Sequence, residues 1–291
     1  MSACFKAVVQ QPPMSQAESF VKEAKDVHSE RPEYSFEVAA GFTGLTAPLK
    51  WEETIAHLDV YIRLPRWRRG ADLSRLVEAA YKCMKADKPP SEIVLRIAEE
   101  VLLRASYASE AEVRLKFTAL KQARGYEPYE VMLSASLKRG GEVEMGIRVE
   151  VEGMSACPCT RELLRAYFKR QRGLATHTQR CTGRLGVRVR GRMLPSYRVL
   201  AEIVEESMSS PTRALLKRED EALLVASSLE NAKLAEDIAR EILSRVLALL
   251  SEYPEDTKVQ VEVECLESVH KQDIVAFREA TLSELRSELG V

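Results

Sequence analysis

The sequence predicts an α+β fold, an antiparallel sheet with helices on one face, and three observations predict it. Apolar residues alternate with polar ones over several stretches, as at Leu58, Val60, Ile62 and Leu64 and again at Val259, Val261 and Val263. Tight turn signals such as Gly140-Gly141 join neighbouring stretches, which favours hairpins over crossovers. Helix-period segments stand between the strands in pairs, giving the same outline of strands flanking a helical pair twice. No repeat is visible at the sequence level, so the duplication is one of topology.

Taken in order, residues 1–34 are polar and weakly patterned, with a short helix expected over 16–28. An extended segment starts near Phe36, and Gly41-Phe-Thr-Gly44 reads as a turn. A strand over 57–65 leaves His57 at its edge, and Arg66-Trp-Arg-Arg-Gly70 is a basic loop, solvated or open to an anionic substrate. Asp72 is placed to cap a helix bearing Leu73, Leu76, Val77, Ala80 and Met84 on its apolar side. Pro89-Pro90 ends it, and Ser91 is placed to cap a second helix with Ile93, Ile97 and Val101 inside. Alternation at 111–117, 131–137 and 143–151 predicts an antiparallel meander. Residues 162–171 form a helical insert, and a strand follows over 185–189. Ser196 is placed to cap a helix broken at Ser209-Ser-Pro211, and 231–250 carries the clearest apolar stripe in the chain. A last hairpin pairs 259–265 with 274–277, and Thr281 with Glu284 forms a capping box for a terminal helix. The expected division is an N-terminal segment 1–34, a first module 35–156, a loop with helical insert 157–183, and a second module 184–291.

The totals exclude several classes. With 291 residues and 45% apolar content the chain can bury a full core. A net charge of −1 argues against nucleic acid and membrane surfaces as partners, and no apolar run reaches membrane length. The N-terminus does not read as a signal peptide. The six cysteines, at 4, 83, 157, 159, 181 and 265, show no disulfide framework. Reduced thiols in a cytoplasmic protein are therefore expected, with Cys265 in the core.

The stretch that carries chemistry is Met154-Ser-Ala-Cys157-Pro-Cys159-Thr160 with Ala175-Thr-His177-Thr-Gln-Arg180 after it. Thiolate and imidazole together suit a borderline or soft divalent metal. Taken alone, the Cys pair reads more readily as two buried structural thiols than as a metal or redox site. No second Cys pair exists to complete a structural zinc site, so a metal here points to a catalytic centre.

Five motifs in order, Gly153-Met-Ser-Ala-Cys-Pro-Cys159, His177-Thr-Gln-Arg180, Leu215-Leu-Lys-Arg218-Glu-Asp-Glu221, Ala235-Glu236-Asp237 and Glu267-Ser-Val-His270, resemble GTP cyclohydrolase type IB. The helical insert and the C-terminal Ala280-Thr-Leu-Ser-Glu-Leu-Arg-Ser-Glu-Leu289 resemble its archaeal, methanopterin-pathway branch. The resemblance runs from about Leu58 to the C-terminus. It implies tandem tunnelling-fold modules and a homo-oligomer, dimer or tetramer, with active sites at subunit interfaces. It implies opening of the guanine ring of GTP at C8, loss of formate and formation of a 7,8-dihydroneopterin phosphate. In the iron(II)-dependent archaeal branch the product is the 2′,3′-cyclic phosphate; zinc and manganese are chemically compatible substitutes.

Carried over by position, the metal ligands would be Cys157, His177, Glu221 and His270, with Cys159 beside the substrate. Glu236 matches the carboxylate that anchors guanine, where two oxygens meet N1–H and the exocyclic amine together. Arg180, Lys217 and Arg218 are assigned to phosphates on charge and position alone.

The chain also departs from the family pattern. Glu219 stands where the family has Pro, Gln272 where it has a second His, and Ser228-Leu-Glu-Asn-Ala-Lys233 where it has an aromatic and Asn-Pro. Ala71-Asp72-Leu-Ser74-Arg75 replaces the family's His-Met-Ser-Arg. These departures keep two alternatives open: a tunnelling-fold enzyme acting on another purine or pterin, and a non-catalytic protein that binds metal or nucleotide.

Overall fold

In the structure, a computed structural model, residues 24–122, 125–169 and 175–290 are described. The strands are β1 (Val38–Leu49), β2 (Thr54–Leu64), β3 (Glu110–Gln122), β4 (Tyr126–Lys138), β5 (Val143–Ala156), β6 (Thr178–Arg190), β7 (Ser210–Pro211), β8 (Lys258–Cys265) and β9 (Ile274–Thr281). The helices are α1 (Leu73–Met84), α2 (Pro90–Arg104), α3 (Pro158–Phe168), α4 (Tyr197–Ser207), α5 (Arg218–Glu230), α6 (Ala235–Leu249) and α7 (Leu282–Leu289). The strands make one sheet in the order β1-β2-β3-β4-β5-β6-β8-β9, with β7 added against β5. Every pairing is antiparallel, as the short connections require.

One face of this sheet is apolar because its strands keep strict two-residue alternation. Leu58, Val60 and Ile62, then Val113, Leu115 and Phe117, then Val131 and Leu133, and finally Val261 and Val263 are all buried on it. The paired helices α1 and α2 cover β1, β3 and β4, and α4 and α6 cover β5, β6, β8 and β9. Two glycines let α4 come close. A Cβ at Gly183 would stand 2.5 Å from Val204 Cγ1, and one at Gly153 would stand 2.5 Å from Met208 Cγ. That approach brings the C-terminal end of α4 and the Ser209 turn against the end of the sheet where the site lies.

Several sequence expectations are corrected. Gly41 to Gly44 is not a turn but a register shift inside β1, where Gly44 has a φ of 70° and its N–H donates to Asp59 Oδ1 at 2.8 Å. Asp72 precedes α1 without capping it, because its carboxylate pairs with Arg68 at 3.0 Å. Arg68 also stacks on Tyr107 at 3.9 Å and donates to Ser29 Oγ, so the basic loop holds the 27–29 turn rather than awaiting an anion. Pro90, not Ser91, opens the second helix, at a position that needs no N–H. The helix expected over 16–28 lies mostly outside the described residues, and Val27–Ser29 is a 3₁₀ turn. Helix α5 was not expected, and the insert helix starts at Pro158, so Cys159 lies in its first turn. The strand β6 begins at Thr178, inside the segment assigned to the 157–183 loop.

Cys265 is in the core as expected, but the expectation of reduced thiols is overturned at one pair. Cys181 and Cys265 are joined by a disulfide across β6 and β8, 84 residues apart in sequence. Spacing along the chain cannot show such a pair; only the register that sets them opposite each other does. Cys83, Cys157 and Cys159 are free.

Candidate functional site

The site is built at the end of the sheet where β5, β6 and β8 stop. The ladder between β5 and β6 runs as far as Ala156 and Thr178. One bond continues it, from Cys157 N–H to His177 O at 3.1 Å, and Thr176 Oγ1 donates to Cys157 O at 2.7 Å. The 20-residue step from Cys157 to His177 is thereby closed at its base. Cys157 is the N-cap of α3, and its Sγ accepts from Thr160 N–H at 3.4 Å. Pro158 at the first helical position favours an extended Cys157, observed at φ −73° and ψ 113°. The two thiols thus sit at the N-terminal turn of a helix. Cys157 is half-buried and Cys159 is exposed.

On the other side, β8 ends at Cys265, and Leu266 N–H still donates to Arg180 O at 2.9 Å. The chain then turns Glu267 inward. Its Oε1 accepts from Ser268 N–H at 2.8 Å and Val269 N–H at 2.9 Å, and Asp273 closes the loop by accepting from Glu267 N–H at 3.0 Å. The Glu267 side chain is only 2% exposed, and it stands 3.4 Å from His177 Nδ1. Ser268 Oγ lies 3.2 Å from the same nitrogen. Burial works to raise the Glu267 pKa, but the Val269 and Ser268 amides, with His177 and His270 nearby, hold the carboxyl below its ordinary value. A carboxylate beside Nδ1 is the kind of partner that orients a metal-binding imidazole through one ring nitrogen and leaves the other for the metal.

The structure therefore brings Cys157, His177 and the Glu267–His270 turn to one place. It does not bring in Glu221, which lies exposed in the first turn of α5. Among the described residues, no group of three or more His, Cys, Asp or Glu side chains is assembled to hold a metal within one chain. The donor set nevertheless fits a divalent metal in chemistry, and His177 is oriented as second-sphere carboxylates orient such ligands.

Glu236 lies exposed in the first turn of α6, while Asp237 Oδ2 caps that helix by accepting from Leu234 N–H at 3.3 Å. The loop before it is anchored to the same strand ends. Ser155 Oγ donates to Lys233 O at 2.7 Å, and Ser209 Oγ accepts from both Ala156 N–H and Lys233 N–H. Asn231 Nδ2 donates to the carbonyls of Met208 and Ser209. The unusual 228–233 segment is thus firmly held. Arg180 projects from β6, 3.8 Å from Glu152, into a cleft of about 260 Å³ that Lys121, Tyr129, Glu205 and Arg213 also line. Lys217 and Arg218 are exposed at the start of α5.

The residues missed from sequence are Glu267, Ser268 and the Ser155–Ser209 anchors. For Glu267 a signal existed: an acid two residues beyond a strand end and three positions before a histidine. Ser155 and Ser209 carry no signal, because their partners are backbone groups of distant segments, and Ser268 carries none because its partner is the ring of His177 far away in sequence. Around the site, α3 buries none of its residues and α5 buries only Ser228. Leu163, Tyr167, Leu223 and Val225 stay exposed on these two helices.

Set against known proteins, residues 24–276 match the family described as type I GTP cyclohydrolase folE2. The chain is 40% identical to the GTP cyclohydrolase MptA of Korarchaeum cryptofilum over 277 residues, covering 94% of this chain and 98% of that protein. It is 33% identical to the GTP cyclohydrolase MptA of Aeropyrum pernix over 243 residues, covering 79% and 84%. In fold it is similar to a uricase from Bacillus fastidious, a protein of tandem tunnelling-fold modules, with a TM-score of 0.50 at 9% identity over 87% of this chain and 96% of that one.

Proposed function

Because the chain belongs to the type I GTP cyclohydrolase folE2/MptA family and is a GTP cyclohydrolase, we propose that it opens the guanine ring of GTP at C8 with water. Formate leaves, and the ring recloses as a 7,8-dihydroneopterin phosphate, the 2′,3′-cyclic phosphate, for pterin synthesis. The observation that carries this reading is the convergence of His177, Cys157 and the buried Glu267 at one sheet end.

Cys157, His177, His270 and Glu221 would hold the metal, iron(II) in this reading. Bound there, it would act as a Lewis acid toward water and the purine. Glu267 would hold the His177 ring through Nδ1 and leave Nε2 for the metal. The anchored 231–234 loop presents Glu236, whose two oxygens suit N1–H and the exocyclic amine of guanine. Arg180, Lys217 and Arg218 meet the phosphates, and Cys159 borders the reacting ring. Glu221 joins the other ligands in a homo-oligomer with sites between subunits. The apolar side chains left open on α3 and α5 beside the site support that assembly.

The test is direct. Protein loaded anaerobically with iron(II) is given GTP, and formate and oxidised fluorescent pterin are assayed. Both products are expected; absence of both from metal-loaded protein contradicts the proposal.

A further inference from the structure

The disulfide lies where β6 and β8 separate to form the site. Cys181 and Cys265 face each other at the last paired position of that ladder, and both are fully buried. His177 lies four residues before Cys181, and Glu267 and His270 lie two and five residues after Cys265. Beyond the disulfide, one backbone bond remains between the strands, Leu266 N–H to Arg180 O. The rest of the connection is the His177 contact with Glu267 and Ser268.

Ladder ends open at low free energy when hydrogen bonds alone hold them. The other side of His177 is already fixed to Cys157 through β5. The side toward Glu267 and His270 depends on how firmly β8 is held to β6 at its tip. We propose that the Cys181–Cys265 disulfide is a clamp that sets the spacing of His177 from the Glu267–His270 turn, which makes the two cysteines positioning residues of the metal centre. The inference rests on the metal-site reading above. It differs from a plain stabilising role in one respect: the clamp acts on the geometry of the ligands as well as on the unfolding equilibrium.

Peptide mapping of alkylated, unreduced protein comes first and should recover the peptides of Cys181 and Cys265 as a linked pair; free thiols at both positions would overturn the inference. Metal-free wild type, C181A/C265A and the volume-keeping C181V/C265V are then titrated with cobalt(II). The readouts are the thiolate charge-transfer band from Cys157 and the ligand-field bands. Both variants should fold, bind cobalt at least about 10-fold more weakly and show altered ligand-field bands. Wild-type affinity and spectrum in a folded variant, even one with a lower Tm, would overturn the clamp. If wild type itself binds no cobalt, the metal-site reading fails, and amide exchange decides the clamp separately. A trialkylphosphine then reduces the disulfide, giving two thiols while the phosphine takes up oxygen from water. Exchange at the Leu266 amide should accelerate on reduction, while the Cys157 amide, held through β5, serves as the internal reference; unchanged exchange at Leu266 would overturn the clamp.

Discussion

Replacing Glu267 by glutamine tests how the site orients its histidine. The carboxylate accepts two backbone N–H groups at 2.8 and 2.9 Å and faces His177 Nδ1 at 3.4 Å. Glutamine can still accept the two N–H groups through its carbonyl oxygen, but as a neutral acceptor its bonds are roughly half as strong. A stability loss of about 1–2 kcal/mol follows, against about 2–6 kcal/mol for E267A, which leaves two N–H groups unpaired. The effect on the site is larger than the effect on the fold. The Oε1 that takes both N–H groups is also the atom facing Nδ1, so glutamine either keeps a weaker, neutral oxygen there or turns its NH₂ there at the expense of both N–H bonds and drives the imidazole proton to Nε2, the nitrogen a metal needs free. Loss of such an orienting carboxylate costs about 10–100-fold in metal affinity, or about 1.4–2.7 kcal/mol. Competition titration with zinc or cobalt, beside urea unfolding of the same samples, measures both quantities. E267Q with wild-type metal affinity would refute the orientation argument, whatever its stability.

Three further outcomes follow from the same geometry. C157A and H270A should each fold, lose metal and lose GTP turnover, as read by metal analysis after dialysis and by formate release; full activity in either removes that residue from the ligand set. G183A should cost about 1–3 kcal/mol in urea unfolding, because its methyl would meet Val204 at 2.5 Å and Met208 at 2.7 Å under α4; an unchanged midpoint would mean that the helix shifts freely. Burial works to raise the Glu205 pKa, but Arg213 at 2.5 Å and Lys121 at 2.6 Å prevail and hold it below the ordinary value. That ion-pair stability is present above the unfolded value of about 4.3 and is lost as pH falls through the lowered folded value. E205Q should therefore be less stable than wild type by about 2–3 kcal/mol at neutral pH, with the gap closing in acid; a gap that persists at low pH would contradict the assignment.

How much the sequence revealed depended on the range of the interaction. The meander β3–β5 and the hairpin β8–β9 were readable because alternation and turn chemistry are local. The capping box was readable for the same reason and is present, with Thr281 Oγ1 accepting from Glu284 N–H. Helix α5 was hidden because its apolar residues follow no single face, and in one chain it buries only Ser228. The turn read at Gly41 failed because a glycine pair signals a bulge and a turn equally well. Asp72 looked like a cap until Arg68, four residues earlier, took its carboxylate. In the site, Cys157 and His177 stood out as rare residue types near one another. Glu267 did not, because its role rests on burial and on two amides of its own turn. The Cys181–Cys265 pair was beyond reach for the simplest reason: register across 84 residues is a property of the folded sheet.

The most direct measurement is a crystal structure of the anaerobic, metal-loaded protein with a non-hydrolysable GTP analogue, phased to show the metal. One cation should bind Cys157 Sγ, His177 Nε2, a His270 nitrogen and the Glu221 carboxylate of the same or a neighbouring subunit, with the guanine edge on Glu236. A cation bound elsewhere, or Glu221 distant from it in every subunit pairing, would contradict the account.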